Sequence, residues 1–218
     1  MRGPRIAWTG FSLALLAPAI VSAQHGISVG AKAGLSHASI SGADNQFGLS
    51  AREGFTGGAF VTLSLSKAFS LQSEVLLTQK GGEIYSYGYR YSTRYRTDYV
   101  ELPLVGRYTV STSQARRPGT ATLVFSAGAA VAFKAASDGR ALFDMQGMGL
   151  AVIPLKTSTI DSGLVAGAGV DVSVGDGRGL VLDLRYTSGR RPVDPDVAFG
   201  HIKNAVISFT IGYSRRVG

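Results

Sequence analysis

Tyrosine and arginine alternate in one unusual segment of the chain. Residues 81–98 read GGEIYSYGYRYSTRYRTD. These two residue types give a binding surface large contact area and cation–π contacts, and the guanidinium group binds phosphate or carboxylate through paired hydrogen bonds. The segment is therefore a candidate binding site for an anionic surface or a protein partner. Its candidate contact residues are Tyr85, Tyr87, Tyr89, Arg90, Tyr91, Arg94, Tyr95 and Arg96.

A second set consists of charged residues within otherwise apolar stretches. Each lies in a run where apolar and polar residues alternate, so all of them fall on the polar face of a strand. The set has five basic and four acidic members, which predicts a nearly neutral network of ion pairs if this face is interior. A path for protons or ions is the functional alternative. The members are Lys32, Glu74, Lys80, Glu101, Arg107, Lys134, Asp171, Asp183 and Arg185.

Histidine is the usual catalytic base, and the chain has three: His25, His37 and His201. The nearest nucleophile is Ser36 or Ser39, beside His37. Neither serine lies in the glycine-flanked turn that exposes a catalytic nucleophile, and no acid partner is evident. We therefore expect no catalytic residues and no enzyme activity.

Metal and cofactor sites are not predicted either. Cysteine is absent, which removes disulfides and thiolate ligands. Asp138, Asp144, Asp194 and Asp196 lack the dense Asp, Asn and Gly spacing of a calcium loop. We interpret them as solvated loop charges.

The first 23 residues differ in character from the rest. Arg2 and Arg5 give a positive start, Ile6–Ile20 is mostly apolar, and Val21–Ala23 supplies the small residues that signal peptidase prefers. An N-terminal membrane anchor is the alternative, but Pro18 and the small residues disfavour it. We predict a signal peptide over residues 1–23, cleavage after Ala23, and one domain over residues 24–218.

Composition narrows the class of this exported chain. Removing Arg2 and Arg5 lowers the formal charge from +8 to +6, and mean hydropathy is +0.16 with 29 glycines. After the signal no apolar stretch is long enough for a membrane helix. No nucleic-acid motif is present. The positive charge of an exported protein is instead expected to meet anionic lipid headgroups or lipopolysaccharide phosphates.

Alternation with a period of two predicts eight strands. In the first run Ile27, Val29 and Ala31 fall on one face, and Ser28 and Lys32 fall on the other. Phe60 and Leu76 break their patterns, and Pro103 predicts a local irregularity because proline cannot donate to a ladder. The runs are 27–36, 55–65, 69–80, 99–109, 121–134, 163–173, 180–187 and 205–214.

Connection lengths alternate between short and long. The short ones are residues 66–68, 111–119 and 175–179, the last with the glycine-rich turn sequence GDGRG. An even strand number with short turns on one side is typical of outer-membrane barrels. We predict an all-β, eight-stranded antiparallel up-and-down transmembrane β-barrel in the bacterial outer membrane, with both mature termini periplasmic.

Several motifs make the chain resemble the PorT-like small outer-membrane barrels, related in architecture to OmpX and OmpA. They are KAGL at 32–35, GFTGGAF at 54–60, FSLQSEVLLTQKGG at 69–82 and YVELPL at 99–104. The resemblance covers nearly the whole mature chain. It implies fold and location, but the family carries no agreed activity.

The resemblance also draws attention to the C-terminus. Such barrels usually end on an aromatic residue that the insertion machinery recognises, whereas Tyr213 here is followed by SRRVG. Small outer-membrane barrels also include lipid A deacylases that use Ser and His near the outer rim, so a lipid A-modifying enzyme is one alternative. A soluble lipocalin-like periplasmic carrier is another, but its apolar face would have to point inward.

The prediction is thus a monomeric, non-enzymatic barrel in outer-membrane lipid and lipopolysaccharide. A lumen filled by side chains leaves a structural role or surface binding through the outer loops, to an anionic or protein ligand. Two interpretations of the Tyr/Arg segment remain open, since alternating tyrosines also suit an aromatic girdle. Residues 147–155, GMGLAVIPL, fit either a cover over the barrel mouth or the continuation of a hairpin.

Overall fold

Nine β-strands make up the computed structural model. It describes residues 26–41, 47–86, 91–110, 118–144, 150–154, 158–192 and 203–217. No helix among these residues is long and apolar enough to cross a membrane. The strands are β1 (Ile27–Ser41), β2 (Phe47–Ser64), β3 (Phe69–Ser86), β4 (Tyr91–Val110), β5 (Ala121–Asp144), β6 (Leu150–Pro154), β7 (Ile160–Gly175), β8 (Arg178–Pro192) and β9 (Lys203–Val217).

Eight of these strands close into a barrel. Hydrogen-bonded neighbours follow the order β4-β3-β2-β1-β9-β8-β7-β5, and β4 pairs with β5 to complete the ring. Each neighbouring pair is antiparallel. The short β6 lies outside the ring and pairs with the end of β5. The predicted eight-stranded antiparallel barrel is confirmed.

Apolar side chains cover the outside of this barrel. On β3, the side chains of Val75 and Leu77 point outward and are 55% and 59% exposed. Gln72 and Glu74, on the opposite face of the same strand, are buried. This distribution is the reverse of a soluble fold and fits lipid outside and a polar lumen inside. A soluble carrier would need the opposite arrangement.

The exceptions to alternation have physical explanations. Phe60 and Leu76 both point into the lumen and are buried. The ring of Phe60 lies under the Lys32 ammonium, 5.9 Å from its centroid. The β3–β4 pairing is interrupted at Pro103. The backbone pair Ser73–Leu104 is followed by Leu76–Glu101, and Leu102 and Pro103 have no partner on β3. The irregularity expected there is confirmed.

Strand pairing extends farther at one end than the sequence predicts. β2 begins at Phe47 rather than at residue 55, β4 begins at Tyr91 rather than at residue 99, and β5 continues to Asp144 rather than ending at residue 134. Leu150–Pro154 pairs with Arg140–Asp144, so this part of residues 147–155 continues a hairpin. We call the paired extensions of β2–β5, together with β6, the outer wall.

The opposite end of the barrel has tight connections. β7 ends at Gly175 and pairs with Arg178 across a two-residue turn, as the GDGRG sequence predicts. Gly175, Asp176 and Gly177 have φ values of 99°, 51° and 71°. Positive φ costs a residue with a Cβ atom about 1–2 kcal/mol, so glycine is required at both flanking positions.

This turn gives the first prediction. Gly177→Ala should lower the free energy of unfolding by about 1 kcal/mol, because alanine is strained at positive φ. Asp176→Gly should leave the stability unchanged or raise it, because it relieves the same strain. Urea unfolding in detergent micelles, followed by circular dichroism, measures both. Equal effects of the two variants would contradict this explanation.

Candidate functional site

Four charged side chains form an ion-pair cluster across the middle of the lumen. Lys32 Nζ lies 2.8 Å from Glu74 Oε2 and 3.4 Å from Asp183 Oδ2. Arg185 contacts the same two carboxylates at 2.8 and 3.0 Å. All four side chains are at most 6% exposed. Two positive and two negative charges therefore cancel in a water-poor space, as buried charges require.

Neighbouring polar residues add hydrogen bonds to this central cluster. The Gln72 amide donates to Glu74 Oε1, and the Thr62 hydroxyl donates to Gln72 Oε1 at 2.9 Å. The participating residues come from β1, β2, β3 and β8. The cluster thus connects strands on different sides of the barrel.

A second cluster lies nearer the outer wall. Lys80 Nζ contacts Glu101 Oε1 at 2.5 Å and Asp161 Oδ2 at 3.5 Å. Asn204 donates to Asp161 at 3.4 Å, and Thr78 donates to Glu101 at 3.0 Å. The Lys80 ammonium also lies 5.1 Å from the centre of a neighbouring tyrosine ring, at position 99. This outer cluster fills the lumen above the central one.

The end of the lumen with the tight turns is more open. Arg107 Nη2 pairs with Asp171 Oδ1 at 2.9 Å. Both residues border a cavity of about 340 Å³, together with hydroxyl-bearing residues such as Ser28, Thr62 and Ser173. Since the turn residues 175–179 also border it, the cavity opens at this end.

Eight of the nine charged residues selected from the sequence lie in these three groups. Lys134 is half-buried on β5, where its backbone partner on β4 is Tyr99. Asp161 and Asn204 also lie in the outer cluster but were not among the residues predicted from the sequence. Asp161 falls on the same face as Gly163 and Val165. If the predicted strand 163–173 had begun two residues earlier, it would have included Asp161.

The candidate serines near His37 lie on opposite faces of β1. Ser36 is fully buried inside the barrel and donates to the Gln79 carbonyl, so it cannot be the partner of His37. His37 is exposed, and its Nδ1 lies 2.5 Å from Oε1 of Glu53 on β2. The acid partner that the sequence did not reveal is thus Glu53. His25 and His201 lie outside the described residues.

Ser39 shares the alternation of His37 on β1. Its hydroxyl donates to the Ala205 carbonyl at 3.5 Å rather than to the imidazole. The structure therefore shows an exposed contact between a carboxylate and a histidine, with a serine on the same strand that does not contact the histidine.

The Tyr/Arg segment is largely strand rather than loop. Glu83–Ser86 belongs to β3 and Tyr91–Asp98 belongs to β4, and the two are paired in register up to Ser86–Tyr91. The described part of residues 81–98 therefore continues the β3–β4 hairpin beyond the predicted strands. Of the candidate contact residues, Tyr85, Tyr91, Arg94, Tyr95 and Arg96 lie on these strands, whereas Tyr87, Tyr89 and Arg90 lie outside the described residues.

The proposed loop aspartates are also reassigned. Asp138 and Asp144 belong to β5, so interpreting them as loop charges was wrong, and Asp194 and Asp196 lie outside the described residues. Among the side chains that the structure describes, no group of three or more His, Cys, Asp or Glu is suited to hold a metal ion.

Comparison with known proteins gives this barrel a family. Residues 21–193 match the family model described as "Outer membrane protein beta-barrel domain". The chain belongs to this family. No curated protein sequence matches the chain significantly.

Solved outer-membrane barrels are similar to the chain in fold. OprG from Pseudomonas aeruginosa is 10% identical, with a TM-score of 0.55 and coverage of 88% of this chain and 96% of OprG. Neisserial surface protein A is 17% identical, with a TM-score of 0.48 and coverage of 88% and 97%. Ail of Yersinia pestis is 14% identical, with a TM-score of 0.43 and coverage of 87% and 98%.

The protein is thus an integral β-barrel of the bacterial outer membrane, and its exposed apolar face contacts lipid. Ile27 and Val217 are backbone partners, so the first and last strands meet at one end of the barrel. The tight turns lie at the same end. The start of β1 and the end of β9 are therefore on the periplasmic side, and the outer wall faces the cell exterior.

The central cluster gives the second prediction. Lys32→Met should lower the free energy of unfolding by about 3 kcal/mol, because it leaves buried negative charge without compensation. Adding Glu74→Gln restores neutrality around Arg185 and Asp183, so the double variant should regain part of the loss. Circular dichroism during urea titration in micelles measures both, since Trp8, the chain's one tryptophan, lies in the predicted signal peptide.

The double variant also provides the control. If Lys32→Met and Lys32→Met/Glu74→Gln were equally destabilised, lost packing rather than unbalanced charge would explain the effect.

Proposed function

We propose that this outer-membrane barrel is a monomeric, non-enzymatic surface protein whose outer wall binds an anionic partner. The motifs at residues 32–35, 54–60, 69–82 and 99–104 support the finer assignment to the PorT-like barrels. Export through the predicted signal peptide and delivery by the barrel insertion machinery are part of the proposal.

The filled lumen favours this function over transport. An eight-stranded barrel has an interior only wide enough for side chains. Here the central and outer clusters place seven charged side chains in that space, all in ion pairs, contributed by β1, β3, β4, β7 and β8. A solute would have to break these ion pairs to pass. Function is therefore expected at the ends of the barrel.

The length of the outer wall is the observation that carries the proposal. The apolar outer face ends near Leu77 on β3 and Val100 on β4. Eight further register pairs follow, from Gln79–Asp98 to Ser86–Tyr91. At about 3.3 Å per residue these pairs correspond to about 25 Å of strand beyond the apolar band.

This length also bears on the aromatic girdle. The polar interface on one side of a bilayer is about 5–8 Å thick. Tyr85 and Tyr91 lie eight and nine residues from the last apolar outward positions, Leu77 and Val100. Even on tilted strands they lie above the interface, which favours a contact surface over a girdle.

Strand pairing defines which charges are neighbours on the wall. The backbone partners of Arg94 are Glu83 on β3 and Arg140 on β5, and those of Arg96 are Gly81 and Asp138. Each of these two arginines of β4 thus has a carboxylate residue as its backbone partner on one neighbouring strand, Glu83 for Arg94 and Asp138 for Arg96. Such a mixed surface favours ligands that present discrete anionic groups, such as sulfated or phosphorylated polysaccharides, over a uniformly charged partner.

The third prediction tests this surface with dextran sulfate as the probe. Arg96→Gln should weaken binding by up to about fivefold, the upper range for one exposed ion pair. Arg190, which is also exposed but lies on β8 away from the wall, provides the matched control as Arg190→Gln. Surface plasmon resonance on the micelle-solubilised protein measures both. Equal losses of affinity in the two variants would mean that net charge alone explains the effect, and would contradict the proposed site.

A second candidate function is hydrolysis of a lipid acyl ester. The observation in its favour is the contact between Glu53 and His37 on the lipid-facing side, with Ser39 two residues farther along β1. A carboxylate that orients histidine, which in turn deprotonates serine, is the arrangement of serine hydrolases. His37 lies just beyond the lipid-exposed Leu35, at the height where acyl esters meet headgroups.

The fourth prediction separates the two functions. Under the non-enzymatic proposal, lipid A mass spectra are identical with and without expression of the protein. Under the hydrolase alternative, expression removes an acyl chain, and His37→Ala, Ser39→Ala and Glu53→Gln each suppress the change. Ser36→Ala is the matched control, because Ser36 faces the lumen and should have no effect.

A further inference from the structure

The periplasmic end of the lipid-facing surface carries two arginines on adjacent strands. Arg178 on β8 and Arg215 on β9 are directly opposite each other in the antiparallel register. Both are exposed. Opposite residues on one face have Cβ atoms about 5 Å apart, and like charges in this position destabilise a sheet. The pair therefore calls for a negative partner.

The surroundings of the pair are apolar and lipid-facing. Arg178 shares the alternation of Leu180, and Arg215 shares that of Tyr213, both of which are exposed on the outer surface. On the other side of Arg215, its backbone partner on β1 is the exposed Val29. The two arginines thus lie at the lower edge of the apolar band, next to an interfacial tyrosine.

No described carboxylate neutralises these two charges. Neither arginine takes part in an ion pair among the side chains that the structure describes. Asp176, in the turn before Arg178, has no such ion pair either. The next arginine, Arg216, alternates to the other face of β9, where it approaches Gly26. Arg216 borders the periplasmic cavity, and Arg178 also reaches the rim of that cavity.

We propose that Arg178 and Arg215 together bind the phosphate of an anionic phospholipid in the periplasmic leaflet. The Cβ atoms of opposite residues are about 5 Å apart, so the guanidinium groups of both arginines can reach the oxygens of one phosphate. A phosphate accepts paired charge-assisted hydrogen bonds from such groups. The acyl chains of the same lipid would then lie along Leu180, Tyr213 and Val29. A phospholipid satisfies both the charge and the apolar surroundings, whereas free phosphate satisfies the charge alone.

This site gives the C-terminal tail a role. The residues after Tyr213 continue β9, which pairs with β1 as far as Val217. Arg215 is therefore fixed on the lipid-facing side of the final strand.

Native mass spectrometry of the full-length protein with equimolar phosphatidylglycerol and phosphatidylcholine tests the proposal. The unmodified protein should retain phosphatidylglycerol with up to about 25-fold preference, since each of the two basic residues near an anionic headgroup contributes about a fivefold factor. R178Q/R215Q should bind the two lipids nearly equally. R216Q is the matched control, because it removes the same type of charge one residue away on the other face, and it should keep the preference.

Three outcomes would overturn the proposal: R178Q/R215Q keeps its preference, R216Q loses as much as the double variant, or inorganic phosphate displaces the lipid. Heat-modifiable gel migration establishes that each variant forms the barrel. If the double variant does not fold, R178Q and R215Q are compared singly, and each should lose part of the preference.

Discussion

Pairing of backbone N–H and C=O groups is the constraint on which the rest of this structure depends. In hydrocarbon no water satisfies these groups, so a strand can cross a membrane only with a partner on each side. The β4–β5 pairing supplies the last partners and extends from Val110–Leu123 to Tyr91–Phe143. Because the ring is closed, every strand in it has two faces and no free edge. One face meets lipid and the other meets the lumen.

Closure also determines what the lumen can contain. Eight strands leave room for side chains but little for water, so each charge inside needs a partner within the same space. Lys32, Glu74, Asp183 and Arg185 meet this need as a neutral set contributed by β1, β3 and β8. The same ion pairs stabilise the barrel and block it. The two ends of the barrel are not bound by this constraint and can vary without opening the ring.

The sequence predicts which face of a strand each side chain occupies, because alternation determines it. It does not predict which residues of neighbouring strands are paired, because that depends on the register. The faces of Lys32 and Glu74 followed from alternation, because lipid outside selects apolar residues at every second position. The same rule already places Ser36 and His37 on opposite faces, which excludes them as a pair. In contrast, Lys32 and Asp183 are 151 residues apart, and alternation gives a side chain's face but not its height in the barrel. Glu53 was missed for this reason, since only the β1–β2 register brings it opposite His37.

Strand ends were missed for a related reason. No apolar alternation marks residues 91–98 as strand, and their pairing follows from continuation of the ladder. The two ends of the barrel therefore differ physically. At the outer end, pairing outlasts the apolar face by eight positions on β3–β4 and builds a broad mixed-charge surface. At the periplasmic end, the β7–β8 turn follows closely on the apolar face, so Arg178 and Arg215 stay at headgroup height. Arginines on the wall are thus available to soluble ligands, whereas this pair is held where phospholipid phosphate is the nearest anion.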